Sequence, residues 1–303
     1  MLDTLLDKSV VGYTALGYRL RSHPPIDADL SGRVALVTGA TSGLGRAAAT
    51  ELARLGSTVI LVGRSSDKTE RVAEAIIGES GNPDVRTEVA DLSSMAQIRA
   101  LAARVQGPLH LLVNNAGVLL AERSETPEGF ETTFATNLLG HFLLTNLLID
   151  KLEAPARIIN VSSGGMYTQR IRVDDLQMKR APYDGVVAYA RTKRAQVILT
   201  ELWAEALRDR GIVVHSMHPG WADTPGVSDS LPRFYKLTKP LLRTPEEGAD
   251  TIVWLCASEE AGASTGQFWH DRRPRPTHRS PKTRETEEER QALWDALSSM
   301  LAS

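Results

Sequence analysis

Tyr189 and Lys193 stand four residues apart in the segment Tyr-Ala-Arg-Thr-Lys. Four residues make about one turn of an α-helix, so the phenol and the ammonium are expected to share one face. A neighbouring positive charge favours the phenolate, and Lys193 is therefore expected to lower the pKa of Tyr189 toward the range of a general acid or base. Because such pairs also occur on solvated helices, the prediction depends on the elements that position this one.

A glycine-rich turn follows the apolar residues 34–37 and precedes an Ala-rich helical stretch. Glycines at such a turn let the backbone approach a pyrophosphate, while free N–H groups and the helix dipole favour its negative charge. The order of strand, turn and helix therefore predicts a nucleotide-binding loop. Its candidate contacts are Gly39, Thr41, Ser42, Gly43, Leu44 and Gly45.

The spacing Gly39-x-x-x-Gly43-x-Gly45 resembles that of the short-chain dehydrogenase/reductase family, and further matches follow in the family's order from Gly32 to Trp269. Residues 162–166, 188–193 and 218–227 are most similar to the branch that contains the retinol dehydrogenases. The resemblance implies four catalytic residues: Asn137, Ser163, Tyr189 and Lys193. It implies further cofactor contacts at Asp91, Leu92, Asn115, Ala116, Gly117, Tyr189, Lys193, Pro219, Gly220 and Thr224.

The resemblance also implies how these groups act. Tyr189 exchanges a proton with the substrate oxygen, Ser163 holds that oxygen, and Lys193 holds the nicotinamide ribose. Asn137 is expected to hold a water in a proton path. Ser162 competes with Ser163, but adjacent strand residues face opposite ways, and the family pattern favours Ser163.

Cofactor choice depends on the end of the second strand, where Arg64 and Ser65 stand in place of an acidic residue. Arg64 could pair with a 2′-phosphate, which a carboxylate would repel, so NADP is favoured over NAD. Ser42 lacks the second positive charge of a doubly basic NADP pattern, and this keeps NAD as the alternative.

The composition fits one large α/β domain, because 42% of the 303 residues are hydrophobic and the net charge is −2. That charge gives no electrostatic case for nucleic acid as a partner. Alternating apolar strands and helical stretches predict a doubly wound Rossmann sheet of seven parallel strands with helices on both faces. The expected strands are 34–38, 58–63, 85–90, 109–113, 157–162, 212–217 and one near 265–269.

The predicted organisation is an amphipathic extension over 1–31, the catalytic domain over 32–270, and a basic arm and helix over 271–303. The first segment could pack on the domain, contact another subunit or lie on a membrane surface, and its apolar runs are too short to span a bilayer. The last segment is expected to be an extended, solvated basic arm, with a place near the nucleotide or at a subunit contact as the alternatives. A helix with a capping box at Thr286 to Glu289 is expected to follow it.

Cys256 is the only cysteine, so a cytoplasmic protein without internal disulfides is expected, and the scattered histidines suggest no metal site. Apolar stretches follow both Ser163 and Gly220, and they predict a small lipophilic carbonyl or alcohol as substrate. The same residues could instead close the domain or form a subunit contact. A homo-oligomer is expected by analogy with the family.

Two functional hypotheses belong to different classes. The favoured one is an NADP-dependent oxidoreductase, because every expected catalytic group accompanies an intact glycine loop. The alternative is a nucleotide-binding regulatory protein that kept the fold and lost turnover. An epimerase or dehydratase is disfavoured by the serine context and by Pro219-Gly220.

Overall fold

A computed structural model describes residues 2–7, 9–180, 182–230 and 232–302. Leu231, part of the apolar stretch after Gly220, lies outside the described residues. The strands are β1 Val34–Thr38, β2 Thr58–Gly63, β3 Val85–Val89, β4 Leu109–Asn114, β5 Leu152–Val161, β6 Ile212–Met217, β7 Phe268–His270 and β8 Arg273–Arg275.

All the strands form one sheet in the order β3-β2-β1-β4-β5-β6-β7-β8. Strands β1 to β7 pair in parallel, and β8 pairs antiparallel to β7. The chain builds outward from β1 to β3 and then returns to β4, so the strand order reverses between β1 and β4. In doubly wound sheets a ligand crevice opens at this position, beyond the carboxyl ends of the strands.

Helices cover both faces of the sheet, as the alternating pattern predicts. On one face Ala48 and Leu52 pack near Ile252, and on the other Ile98, Phe142 and Ile198 belong to a second apolar core. The α-helices are α1 Leu2–Asp7, α2 Ala15–Arg19, α3 Gly43–Arg54, α4 Ser66–Ser80, α5 Met95–Arg104, α6 Thr132–Phe134, α7 Gly140–Leu148, α8 Gly185–Ala206, α9 Pro225–Ser230, α10 Pro232–Thr238, α11 Pro245–Ala257, α12 Glu259–Gly262 and α13 Glu287–Ala302.

The eighth strand departs from the prediction of seven, because it lies inside the segment expected to be a solvated basic arm. Asp271 and Arg272 make the turn with φ of 52° and 57°, a region that residues other than glycine rarely adopt. Buried hydrogen bonds from Arg243 to the Asp271 carboxylate hold the turn and offset that strain. The arm is also tied down further along, where Arg275 pairs with Asp3.

The N-terminal extension packs on the domain, which is the first of its three alternatives. Arg21 donates to the carboxylates of both Asp3 and Asp271, at 2.9 and 2.5 Å. Arg243 donates to the other oxygen of Asp271 at 2.5 Å, and the side chains of Arg21, Arg243 and Asp271 are at most 2% exposed. Buried charges need complete pairing, so this cluster fixes the extension in one place. Among the described residues, no helix has both the length and the apolarity needed to cross a bilayer.

The C-terminal helix α13 begins with reciprocal hydrogen bonds between Thr286 and Glu289, as the capping-box pattern predicts. Its apolar face covers helices α7 and α8. Leu297 is fully buried there, and the Trp294 ring packs edge-on against Phe142 and Trp203 at centroid distances of 5.0 and 6.1 Å. The helix is therefore part of the core of the domain.

Leu297→Ala is expected to lower the free energy of unfolding by about 2–5 kcal/mol, because it removes buried methyl groups and leaves a cavity beside Trp294. Urea denaturation of the full chain measures this change. Ser298→Ala, on the exposed side of the same helix, is the control and should shift stability by less than about 0.5 kcal/mol. Equal effects of the two changes would mean that α13 does not contribute to the core as its burial indicates.

Candidate active site

A cleft of about 740 Å³ opens at the carboxyl ends of β1, β4 and β5, a volume typical of sites for cofactors and small molecules. It brings together residues that the sequence predicts from distant segments. The predicted residues that line it are Gly39, Thr41, Ser42, Gly43, Leu44, Gly45, Arg64, Asp91, Leu92, Asn115, Ala116, Gly117, Ser163, Tyr189, Lys193, Pro219, Gly220 and Thr224. Ser65 and Asn137 do not line it.

The glycine loop joins β1 to the first turn of α3. Gly39 has a φ of +65°, and a Cβ atom at Gly45 would lie 2.4 Å from both the Asn115 amide nitrogen and the Gly39 carbonyl oxygen. Only glycine fits this contact, so the loop can lie flat against the strand ends. The first turn of α3 then presents its backbone N–H groups to the cleft, which suits a pyrophosphate.

Thr38 and Asn115 fix the adjacent ends of β1 and β4. The Thr38 hydroxyl accepts from the backbone N–H groups of Asn115 and Ala116 at 2.9 and 3.0 Å. The Asn115 amide donates in return to the carbonyl oxygen of Thr38 at 2.8 Å. These reciprocal bonds hold the two strand ends together at the floor of the cleft.

The part of the cleft beyond the carboxyl end of β2 carries two positive charges. Arg64 lines it as predicted, and Lys68 in the first turn of α4 lines it as well. Ser65 does not line the cleft, because its hydroxyl caps α4 by accepting from the Lys68 backbone N–H. Sequence reasoning missed Lys68, although its place four residues after Arg64, just past an N-capping serine, could have indicated it.

The structure separates the two candidate serines. Both serines line the cleft, but the Ser162 hydroxyl is buried and donates to the Lys193 carbonyl oxygen at 2.9 Å. The Ser163 hydroxyl instead accepts from the Gly165 backbone N–H at 3.1 Å. Ser163 also hydrogen-bonds the phenol of Tyr189. Burial raises the pKa of Tyr189, and this hydrogen bond only partly offsets the rise. The expected acidification by Lys193 is therefore not seen, and the tyrosine is held protonated, ready to donate.

Lys193 points past Tyr189 rather than at its hydroxyl. Its Nζ lies 5.4 Å from the centre of the tyrosine ring and donates to Val161 O at 2.7 Å and to Gln196 Oε1 at 3.0 Å. Burial lowers the pKa of Lys193 to about 7. The amine can thus gain or lose its charge near neutral pH, an unusual property for lysine.

Gln196 links Lys193 to a buried histidine, a connection that sequence reasoning missed. Its amide nitrogen donates to Asn137 O at 2.8 Å and lies 3.1 Å from His141 Nδ1. Burial is the main cause that lowers the pKa of His141 to about 3, with the Lys193 charge contributing, so the imidazole stays neutral. The position of Gln196, about one helical turn after Lys193, could have indicated its contact with Lys193 but not its contact with His141.

Asn137 lies in a single π-helical turn, Ala135–Leu139, and is fully buried behind the wall of the cleft. Its side chain bonds both the N–H and the C=O of Val118 at 2.8 Å, and it also donates to the Thr192 hydroxyl. It therefore holds the segment that follows Gly117. The expected role in a proton path remains a prediction.

The stretch between Ser163 and Tyr189 mostly closes the domain, which was the alternative to a substrate pocket. Met166, Ile171 and Met178 are buried at 0%, 1% and 4% exposure, and Tyr167 donates to Pro276 O. The apolar residues that line the cleft include Val118, Leu119, Val186 and Trp221.

Comparison with known proteins agrees with this geometry. The short chain dehydrogenase family model matches residues 33–233. The human protein "Dehydrogenase/reductase SDR family member 12" is 43% identical over 280 residues, covering 89% of this chain and 88% of that protein. Retinol dehydrogenase 13 of Mus musculus is 37% identical over 313 residues, with 96% and 92% covered. A crystal structure of an uncharacterized protein from Mycobacterium paratuberculosis has a TM-score of 0.74 at 27% identity, with 91% of this chain and 96% of that chain covered.

The chain therefore belongs to the short-chain dehydrogenase/reductase family of oxidoreductases, whose cofactor is NAD(P). Within that family it is placed in the retinol dehydrogenase-like branch. The tight contact at Gly45, which leaves no room for a side chain, and the helix N-terminus at Gly43 fit the pyrophosphate of such a cofactor.

Proposed function

We propose that this protein is an NADP(H)-dependent oxidoreductase acting on a lipophilic carbonyl compound or alcohol, with Tyr189 as general acid and base. The observation that carries the proposal is the meeting of Ser163, Tyr189 and Lys193 with the glycine loop along one cleft. Hydride transfer needs a proton partner beside the nucleotide site, and this arrangement supplies one.

The bound nicotinamide would supply or accept the hydride. In the reductive direction Tyr189 donates its proton to the carbonyl oxygen as negative charge develops there, and Ser163 donates a second hydrogen bond that stabilises the same oxygen. The raised pKa of Tyr189 suits the donor role, because the phenol stays protonated at neutral pH. Lys193 would hold the ribose hydroxyls through hydrogen bonds from its amine.

Preference for NADP is supported by the two cations at the adenosine end, Arg64 and Lys68. A guanidinium pairs with a phosphate through two parallel hydrogen bonds, and an ammonium adds a point charge. Ser42, the uncharged residue before the second glycine, is the feature that keeps NAD in consideration.

Arg64→Asp is expected to reduce the ratio of kcat/KM for NADPH over NADH by about 10- to 100-fold, since it replaces attraction to the 2′-phosphate with repulsion. Steady-state kinetics with both cofactors measure the ratio. Arg71→Asp makes the same charge change at an exposed position of α4 and should leave the ratio unchanged. Equal use of NADPH and NADH by the wild-type protein would contradict the phosphate role of Arg64.

A lipophilic substrate is supported by Val118, Leu119, Val186 and Trp221, which line the same cleft as Tyr189. Val186 is 51% exposed, so its side chain is open to a ligand in the cleft. The deciding experiment is a screen of retinoid, steroid and fatty aldehydes or ketones with NADPH, and of the alcohols with NADP, followed by cofactor absorbance. Tight NADPH binding without turnover of any compound would favour the regulatory alternative.

We also propose a cytoplasmic, homo-oligomeric protein, with membrane contact limited to its surface. Cys256 is the single cysteine and is buried and free, so no internal disulfide requires an oxidising compartment. Leu5, Val10 and Leu16 are exposed on the N-terminal extension, where they could contact another subunit or a membrane surface. Light scattering and vesicle sedimentation test these proposals.

A further inference from the structure

The N-terminal extension reaches the loop at the nicotinamide end of the cleft. Tyr13 ends a 3₁₀ turn, Val10–Tyr13, and its carbonyl oxygen accepts from the Trp221 backbone N–H at 2.7 Å. On the other side, the Trp221 carbonyl oxygen accepts from the Arg243 backbone N–H at 2.7 Å. The backbone of Trp221, which lines the cleft, is thus held between the extension and the segment that contains Arg243.

The ring of Tyr13 packs behind two catalytic segments at once. Its centroid lies 4.9 Å from the His218 ring and 6.1 Å from the Trp221 ring. A Cβ atom at Gly164, the residue after Ser163, would lie 3.5 Å from the Tyr13 ring. One aromatic ring therefore borders both the loop His218–Trp221 and the segment that carries the serine.

The loop itself has little freedom to adjust. Gly220 donates its N–H to His218 Nδ1 at 3.0 Å, and a Cβ atom at Gly220 would lie 2.3 Å from the Arg243 guanidinium. Burial lowers the pKa of His218 well below its usual value, with neighbouring His270 and Arg243 adding to the shift. His218 thus stays neutral and can keep accepting from Gly220.

The extension is held firmly enough to act as a support. Arg243 and Arg21 both donate to Gly12 O, at 2.8 and 3.1 Å, one residue before Tyr13. Both guanidiniums also pair with Asp271 in the buried cluster described above. Withdrawing the extension would leave these charges incompletely paired in the interior, which is strongly unfavourable.

We propose that the N-terminal extension is a structural part of the catalytic site, and that Tyr13 is a positioning residue that holds the loop His218–Trp221 and the Ser163 segment in place. This inference rests on the proposed function, because it concerns the nicotinamide end of that cleft. Loss of the Tyr13 ring would let both segments shift away from their reactive geometry. Displacements of about 1 Å at a reacting centre can cost about 100-fold in rate.

Tyr13→Ala in the full chain is expected to lower kcat by about 10- to 100-fold, while the Kd for NADPH, measured by fluorescence titration, changes by less than about threefold. The adenosine and pyrophosphate contacts lie elsewhere, so most of the nucleotide affinity should remain. Tyr13→Phe is expected to keep kcat at the wild-type level, because it retains the ring contacts that join this residue to the loop His218–Trp221. Tyr18→Ala is the control: it removes a ring of the same extension that packs on His23 and Arg243.

Amide hydrogen exchange at Gly220 to Ala222 in the protein alone gives a readout that does not depend on turnover. Tyr13→Ala should accelerate this exchange, whereas Tyr13→Phe and Tyr18→Ala should not. Unchanged kinetics and exchange in Tyr13→Ala would overturn the proposal, and so would an equal loss in Tyr18→Ala, which would indicate general loosening of the extension. If the wild-type protein reduces no carbonyl compound, the proposed function fails and hydrogen exchange still decides the role of Tyr13.

Discussion

Tyr189→Phe is expected to lower kcat for carbonyl reduction by about 10²–10⁴-fold, the usual contribution of a positioned proton donor. The change removes only the phenolic hydroxyl, so the ring keeps its packing and the glycine loop is untouched. Ser163 would still hold the substrate oxygen but has no comparably acidic proton to give. NADPH oxidation with the best aldehyde or ketone from the screen measures the loss, and fluorescence titration should give an unchanged Kd for NADPH.

Tyr183→Phe is the matched control for this experiment. The Tyr183 hydroxyl donates to Glu131 at 2.9 Å and lies 3.2 Å from the Thr133 hydroxyl, contacts made outside the lining of the cleft. Its loss should leave kcat within about threefold of wild type, since only one partly buried hydrogen bond is removed. Wild-type turnover in Tyr189→Phe would remove the phenol from the mechanism and, with it, the role proposed for Ser163.

Local sequence patterns were sufficient to predict most of the cleft. Gly39, Gly43 and Gly45 follow a buried strand directly, and Ser163 and Asn115 stand just past strand ends, so the rule that parallel strands present their carboxyl ends on one side brings them together. Its periodicity alone was enough to predict the helix that carries Tyr189 and Lys193. In each of these cases the relevant spacing is short and is fixed by one element.

The features that escaped prediction depend on contacts between distant parts of the chain. Arg21 and Asp271 are 250 residues apart, and charged residues in polar segments are ordinarily expected in solvent. Only the folded chain shows that they pair in the interior, hold the β7–β8 turn and dock the extension against Trp221. Likewise, nothing within helix α8 indicates that Gln196, one turn beyond Lys193, meets His141 of helix α7.

The same burial explains why the expected effect of Lys193 on Tyr189 was wrong. Sequence spacing places the ammonium on the correct face of the helix, and from this alone its charge should acidify the phenol. The structure adds desolvation, which acts on both groups and opposes charge on each: it raises the pKa of Tyr189 and lowers that of Lys193 to about 7. The pair is thus biased toward a protonated phenol beside an amine that titrates near neutral pH.

The titration of Lys193 should appear in the pH dependence of kcat/KM for NADPH, which reports groups of the free enzyme. Lysine is cationic below its pKa, so kcat/KM should be highest below about pH 7 and fall by about tenfold per pH unit above it. Neither His141 nor Tyr189 accounts for such a fall near pH 7. Burial lowers the pKa of His141 to about 3, and it raises the pKa of Tyr189 above its ordinary value of 10.0.

Lys193→Met is expected to lower kcat by about 10²–10³-fold at neutral pH, because it removes both the charge and the hydrogen-bond donor from the reaction centre. It should also abolish the fall in kcat/KM for NADPH near pH 7. Lys193→Arg keeps a positive charge over the whole range, so its profile should be flat, with a lower plateau because the larger guanidinium does not fit between Val161 and Gln196. If the fall in kcat/KM near pH 7 persists unchanged in Lys193→Arg, the titration belongs to another group. The charge of Lys193 would then not control kcat/KM for NADPH.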